Sequence, residues 1–131
     1  MSRANFRPLV PSIELVPYPH CYRCSFGQEY PSCGLACLEY VQYMFDTATH
    51  PSEIAAFFVE MIQSYSVVVP PDEYFPKLKK LCEEHEILFI DDEVIIGFGR
   101  TGKWWGIDHA RIEPDIMYMA KSIATGISMS A

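Results

Sequence analysis

Three sets of residues in this chain of 131 have types and spacings suited to chemistry. Gly97-Phe-Gly99-Arg-Thr-Gly102 matches G-x-G-x-x-G, the loop that brings backbone amides against a dinucleotide pyrophosphate. Cys21, Cys24, Cys33 and Cys37 form C-x2-C-x8-C-x3-C, four soft donors with the capacity to hold a tetrahedral zinc ion. The third set is an acid and an amine, Asp92 and Lys121, each placed near the end of an apolar run. Open α/β sheets bind ligands at the carboxyl ends of their strands, so that placement points to a site, although a surface carboxylate and a solvated amine would look the same.

These sets depend on the elements that carry them. Pro8, Pro11, Pro17 and Pro19 make the first twenty residues extended chain lying on the rest of the protein. Leu35, Leu38, Val41 and Phe45 recur at helical spacing and predict a largely buried helix over 33–46. The apolar run from Ile54 to Ile62 predicts a strand covered on both faces. Pro70-Pro71-Asp72 reads as a helix start capped by the aspartate, with Phe75, Leu78, Leu81 and Cys82 on one face and an end near His85. Ile87 to Ile90 then resumes as a buried strand, and Asp115 to Met119 is a third. Strand, helix, strand is the order of a right-handed parallel crossover, so the fold class is α/β with a mostly parallel sheet and crossover helices.

That frame argues against two of the chemistries. A dinucleotide loop opens a helix, whereas Gly97–Gly102 runs into Lys103-Trp-Trp-Gly106 and reaches Pro114 without an amphipathic helix. Asp91, Asp92 and Glu93 also stand where two phosphates would have to sit. For the thiols, the second pair lies in an apolar, helical stretch, so reduced cysteines buried in a core compete with zinc, and no metal is assigned.

Seventeen Asp and Glu against ten Lys and Arg give a net charge of −7, which opposes nucleic acid and anionic lipid as partners. Lys77, Lys79 and Lys80 alternate with Glu83 and Glu84 on one helix and are expected as a solvated face. No apolar run is long enough to span a bilayer, and MSRANFRPLVPS lacks a signal-peptide core, so a cytoplasmic protein is expected.

Asp92-Glu-Val94, Gly97-Phe-Gly-Arg-Thr-Gly102-Lys, Pro114-Asp-Ile and Ala120-Lys121 together resemble class-III pyridoxal-phosphate aminotransferases, including the spacing between acid and lysine. VPYPHCYRCSFGQEYPSC and the block from Val68 to Val94 are similar to the 4-aminobutyrate aminotransferase type. The resemblance implies part of the large domain of a fold-type I transferase, one partial domain over residues 1–131. It implies amino transfer from an amine or ω-amino acid to a 2-oxo acid through pyridoxal phosphate. Lys121 would bond covalently to the cofactor and move the substrate proton, Asp92 would keep the ring nitrogen protonated, and Val94, on the same strand face, would pack against the ring. The glycine loop would then be a tight connection near the site.

Some family positions differ. Ile95 stands where the family usually has glutamine near the cofactor's phenolic oxygen, Tyr65 where it has a glutamate that pairs with a substrate-binding arginine, and Thr125-Gly-Ile-Ser128-Met replaces a proline-containing segment. The resemblance covers the middle of the cofactor domain, so the segment that holds the cofactor phosphate and the small domain over the substrate are expected outside it. These residues alone are therefore expected to be inactive. A homodimer, a complementing chain of a split enzyme, or a non-catalytic interaction remnant are the assemblies this leaves open.

Overall fold

The structure, a computed structural model, describes residues 10–124 and 126–131; Pro8 and Thr125 lie outside the described residues. From residue 10 to 20 the chain has neither helix nor strand, and Tyr18 pins it by donating to the carbonyl oxygens of Glu60 and Met61 at 2.9 and 3.1 Å. A 3-10 turn, Cys21–Arg23, follows, and then helix α1, Ala36–Thr47. The helix starts later than its apolar spacing predicts because Gly34 and Leu35 both have positive φ, which a right-handed helix cannot include. Val41, Met44 and Phe45 form its buried face.

Strand β1, Ala56–Val59, is shorter than the apolar run from Ile54 to Ile62. Past Val59 the chain turns, because the Glu60 carboxylate accepts from the Ser64 amide and hydroxyl at 3.1 and 2.6 Å and a Gln63–Val68 bridge closes the loop. Helix α2, Tyr74–Glu84, begins after Glu73, with no side-chain cap from Asp72; Glu73 instead receives the Tyr30 hydroxyl at 2.9 Å. β2, Leu88–Asp92, and β3, Ile116–Tyr118, complete a three-stranded sheet of order β1-β2-β3, parallel throughout. The expected α/β class and its strand–helix–strand order are present.

Parallel partners share a face, so Phe57 and Val59 of β1, Phe89 and Asp91 of β2 and Met117 of β3 lie on one side. That side meets the core formed by Phe75, Leu78 and Cys82 of α2 with Val41 and Phe45 of α1. The opposite face carries Phe58, Leu88, Ile90, Ile116, Asp92 and Tyr118, and it is open: Phe58, Leu88 and Ile116 are 56%, 44% and 45% exposed. The sheet is thus covered on one face, not on both.

Lys79 departs from the solvated face expected of the lysine cluster. It is 9% exposed and reaches back to Asp115 at 2.9 Å. The same Asp115 oxygen accepts the Phe89 amide at 2.7 Å, and the Asp115 amide donates to the Phe89 carbonyl, so one carboxylate ties the helix to both strands that carry the site. The Phe89 amide and then Lys79 hold its carboxyl below the ordinary carboxylate value. Among the described residues no helix is long and apolar enough to cross a membrane.

Candidate functional site at the carboxyl ends of the strands

Asp92 is the last residue of β2 and points to the open face, half-buried. Its Oδ1 accepts the Val94 amide at 2.9 Å, and its Oδ2 accepts a short hydrogen bond from the Tyr118 hydroxyl. Tyr118 sits directly across the parallel register from Asp92 and stacks on Phe58, ring centroids 5.0 Å apart. Burial, then the Asp92 carboxylate, pushes the tyrosine pKa up, so it stays a donor. One bond on each oxygen leaves acceptor capacity, since a carboxylate offers about four lone-pair sites. The acid is therefore oriented and still able to receive a protonated ring nitrogen.

Val94 does not share the strand with Asp92. The strand stops at Asp92, and Val94 opens the turn that follows, where its amide steadies the carboxylate and its side chain is half-buried. Ile95 lies in the same turn, half-buried and without a polar group. Tyr65, at the other departure from the family pattern, is 87% exposed in the loop after β1.

Lys121 opens a short 3-10 turn, Lys121–Ile123, just past β3, with φ of +48°, a strained backbone for any residue but glycine. It is exposed and makes no ion pair among the described residues. Since Asp92 pairs with Tyr118 in register, the acid and the lysine stand at the ends of adjacent parallel strands, on one edge of the sheet. The two are brought to the same edge without a direct bond between them. An oriented acid for a ring nitrogen and an uncommitted amine for an aldehyde are two of the groups that pyridoxal phosphate needs, so Asp92 and Lys121 fit those two positions of the cofactor.

The two acids that the sequence sets beside Asp92 near the glycine loop lie beneath it and do not face the loop's open side. Asp91 and Glu93 are both 0% exposed and face the core with Phe89. Glu93 Oε1 accepts the Ile107 amide at 2.9 Å, while its Oε2 and both Asp91 oxygens have no partner. Burial, and then the Glu93 charge, raises the Asp91 carboxyl to about 8, so Asp91 is protonated at neutral pH. The signal for Asp91 was present in the strand alternation Phe89-x-Asp91, which puts it on the buried side, whereas Glu93 lies just past the strand end.

Glu93 also sets the glycine loop. Its carbonyl accepts the Gly97 amide at 3.2 Å, and its own amide donates to the Tyr118 carbonyl at 3.0 Å. A Cβ on Gly97 would stand 2.8 Å from the Glu93 carbonyl, and one on Gly106 would stand 2.3 Å from Ile96 Cδ1. Turns, not a helix, follow the motif until the short turn Ile107–His109. The loop is a tight connection packed on the end of β2, as the family resemblance implies.

The thiols divide. Cys82 is buried in the core, as expected of a structural cysteine, but Cys21 is exposed and Cys24, Cys33 and Cys37 are half-buried. Among the described residues no three His, Cys, Asp or Glu are arranged to hold a metal ion.

Comparison with known proteins places this geometry. The family model described as aminotransferase class-III matches residues 1–131. A leucine/methionine racemase of Thermococcus litoralis is 44% identical over 120 residues, covering 91% of this chain and 27% of that protein. An adenosylmethionine-8-amino-7-oxononanoate aminotransferase of Geobacter sulfurreducens is 38% identical over 125 residues, 92% of this chain and 27% of that protein. The crystal structure of an amine transaminase from an uncultivated Pseudomonas species, in the PLP-bound form, is similar with a TM-score of 0.89 at 32% identity, over 97% of this chain and 29% of that one. The chain spans 27% of the length of both curated relatives.

Proposed function

The chain belongs to the class-III aminotransferase family, and on that premise we propose that residues 1–131 form part of the large domain of a pyridoxal-phosphate enzyme that moves amino groups. The observation that supports this best is the placement of Asp92 and Lys121 at the carboxyl ends of neighbouring parallel strands. Bound pyridoxal phosphate supplies an electron sink for the pair left at Cα when its proton departs. Asp92, held by Val94 and Tyr118, accepts the ring N–H and keeps it charged. Lys121 would supply the amine that holds the cofactor's aldehyde and would take up the proton that leaves the substrate Cα. Val94 packs beside the ring from the turn after β2.

The substrates in this reading are an amine or ω-amino acid, as in the 4-aminobutyrate type, and a 2-oxo acid, in the cytoplasm. A second copy of the chain or a complementing chain completes the site; the open sheet face with exposed Phe58, Leu88 and Ile116 supports a cover of that kind. A second reading is amino-acid racemisation, favoured by the 44% identity to a racemase. The two share proton removal at Cα and differ in where the proton returns.

Nitrogen-15 from labelled 4-aminobutyrate or leucine, followed by mass spectrometry in the presence of 2-oxoglutarate, separates them. Label arriving on glutamate supports amino transfer. Deuterium entering leucine Cα from heavy water, with inversion and no use of the oxo acid, supports racemisation. Neither signal from a completed assembly, with the second or complementing chain present and cofactor bound at Lys121, would contradict both and leave a non-catalytic remnant.

A further inference from the structure

Tyr118 reaches the site through a strand register, and its hydroxyl does more chemistry there than steadying Asp92. It lies on β3 directly across from Asp92, and its ring stacks on Phe58 of β1, with centroids 5.0 Å apart and planes 24° from parallel. The two outer strands therefore meet over β2. Phe58 is in register with Ile90, two residues before Asp92, so the stack crosses behind the acid and leaves the carboxyl ends of the strands open. From there the hydroxyl donates its short bond to Asp92 Oδ2. The other carboxyl groups that act on Tyr118 do not compete for it: Glu60 is engaged by the Ser64 amide and hydroxyl, and Asp91 faces the core. Burial, and then the bond to Asp92, raises the tyrosine pKa, so the phenol keeps its proton and remains a donor.

We propose that Tyr118 is a specificity-determining residue: by sharing Asp92 with the cofactor's ring nitrogen, it loosens that nitrogen's hold on its proton and favours return of the substrate proton to Cα over amino transfer. This role rests on Asp92 and Lys121 holding the cofactor as proposed above. A carboxylate that serves two donors divides its charge between them, so the bond already made to Tyr118 leaves less charge to stabilise a ring N–H. Charge at the ring nitrogen sets how far the electron pair left at Cα spreads away from that carbon. With the nitrogen firmly charged, the pair moves into the ring and the proton is delivered to the cofactor carbon, which is the route to amino transfer. With the charge loosened, more of the pair stays on Cα. The proton taken up by Lys121, or one exchanged with it from solvent, then returns to Cα. No bond to nitrogen breaks on the substrate, and the substrate leaves at its original oxidation level.

The bond can be tested without cofactor. When Tyr118 is replaced by 3-fluorotyrosine, its fluorine-19 signal should shift on adding Asp92→Asn and stay in place on adding Glu60→Gln. The role is tested in the completed assembly, loaded with pyridoxal phosphate that carries nitrogen-15 in the ring. Its nitrogen-15 shift, followed against pH, should have a midpoint about one unit higher in Tyr118→Phe, about tenfold in proton affinity, because a charge-assisted bond is withdrawn from Asp92. Replacement by 3-fluorotyrosine, a stronger donor, should move the midpoint down. With leucine and 2-oxoglutarate, nitrogen-15 reaching glutamate relative to deuterium entering Cα should rise several-fold in Tyr118→Phe. A fluorine signal indifferent to Asp92, or a midpoint or ratio unmoved with cofactor bound at Lys121, would overturn the role of Tyr118 and leave the family reading standing. No cofactor at Lys121, or no turnover of either kind in the assembly, would contradict that reading and this role with it.

Discussion

The two halves of the candidate cofactor site are built in opposite ways. At the end of β2 the backbone and side chains are enclosed: Phe89, Asp91 and Glu93 are all 0% exposed, and Asp92 is held at both oxygens. At the end of β3, Lys121 is exposed on a strained turn with no ion pair among the described residues. In the proposed roles, an acid that holds a ring nitrogen would need to stay fixed, which the rigid core provides, and an amine that changes partners would need the freedom of a short turn at an open edge. Stability and chemistry are therefore expected to come apart between the two ends.

The sharpest break between them is in stability. Phe89→Ala should cost about 3–5 kcal/mol in urea unfolding, because it empties a fully buried site, while Lys121→Ala should stay within about 0.5 kcal/mol. Equal losses would erase the contrast. Next in size is a pH effect from the enclosed end. Asp91 titrates near 8 in the folded chain and near the ordinary aspartate value of 3.8 when unfolded, so between those values the folded state binds the extra proton. Its contribution is full below about pH 4 and is lost as the pH rises through about 8. The melting temperature should fall by several degrees across that window, and Asp91→Asn should flatten the slope. Glu93, Asp92 and Asp108 are the charges that act on Asp91, and the strongest of these, Glu93, gives the following test.

Glu93→Ala should cost about 1–3 kcal/mol by leaving the Ile107 amide without its acceptor, and Glu93→Gln, which keeps an acceptor, should cost less. Equal costs for the two would mean that the bond to Ile107 is not what holds the loop. The smallest effect is at the helix tie. Asp115→Asn should lose about 1 kcal/mol, since the carboxylate that receives Lys79 is partly exposed, and added salt should shrink the difference.

Much of the enclosed end was legible in the sequence. The apolar face of α2 and the short apolar run from Ile87 to Ile90 led to a helix and a strand near their observed places, the helix because its period is clear and the strand because its run is too short for a helix. β1 was over-extended because the run from Ile54 to Ile62 is apolar throughout and carries no period to mark where Glu60 turns the chain. Asp92 and Lys121 were found from their placement and from the family resemblance. Tyr118 was missed, since its bond to Asp92 depends on a strand register that neither residue's local sequence encodes. Lys79 was misjudged for a similar reason: a lysine beside glutamates looks solvated until the sheet brings Asp115 to it. What escaped at Tyr118 and Lys79 was long-range pairing, and elsewhere it was the ends of elements, while their type was read correctly.

The central claim is that Lys121 is the cofactor lysine opposite a fixed Asp92. Purified protein should be loaded with pyridoxal phosphate, reduced with borohydride and mapped by peptide mass spectrometry, with Lys121→Ala and Asp92→Asn alongside. One pyridoxyl group per chain confined to Lys121, absent in Lys121→Ala and weakened in Asp92→Asn, is the expected result. Labelling scattered over surface lysines, or unchanged when Lys121 is removed, would contradict it.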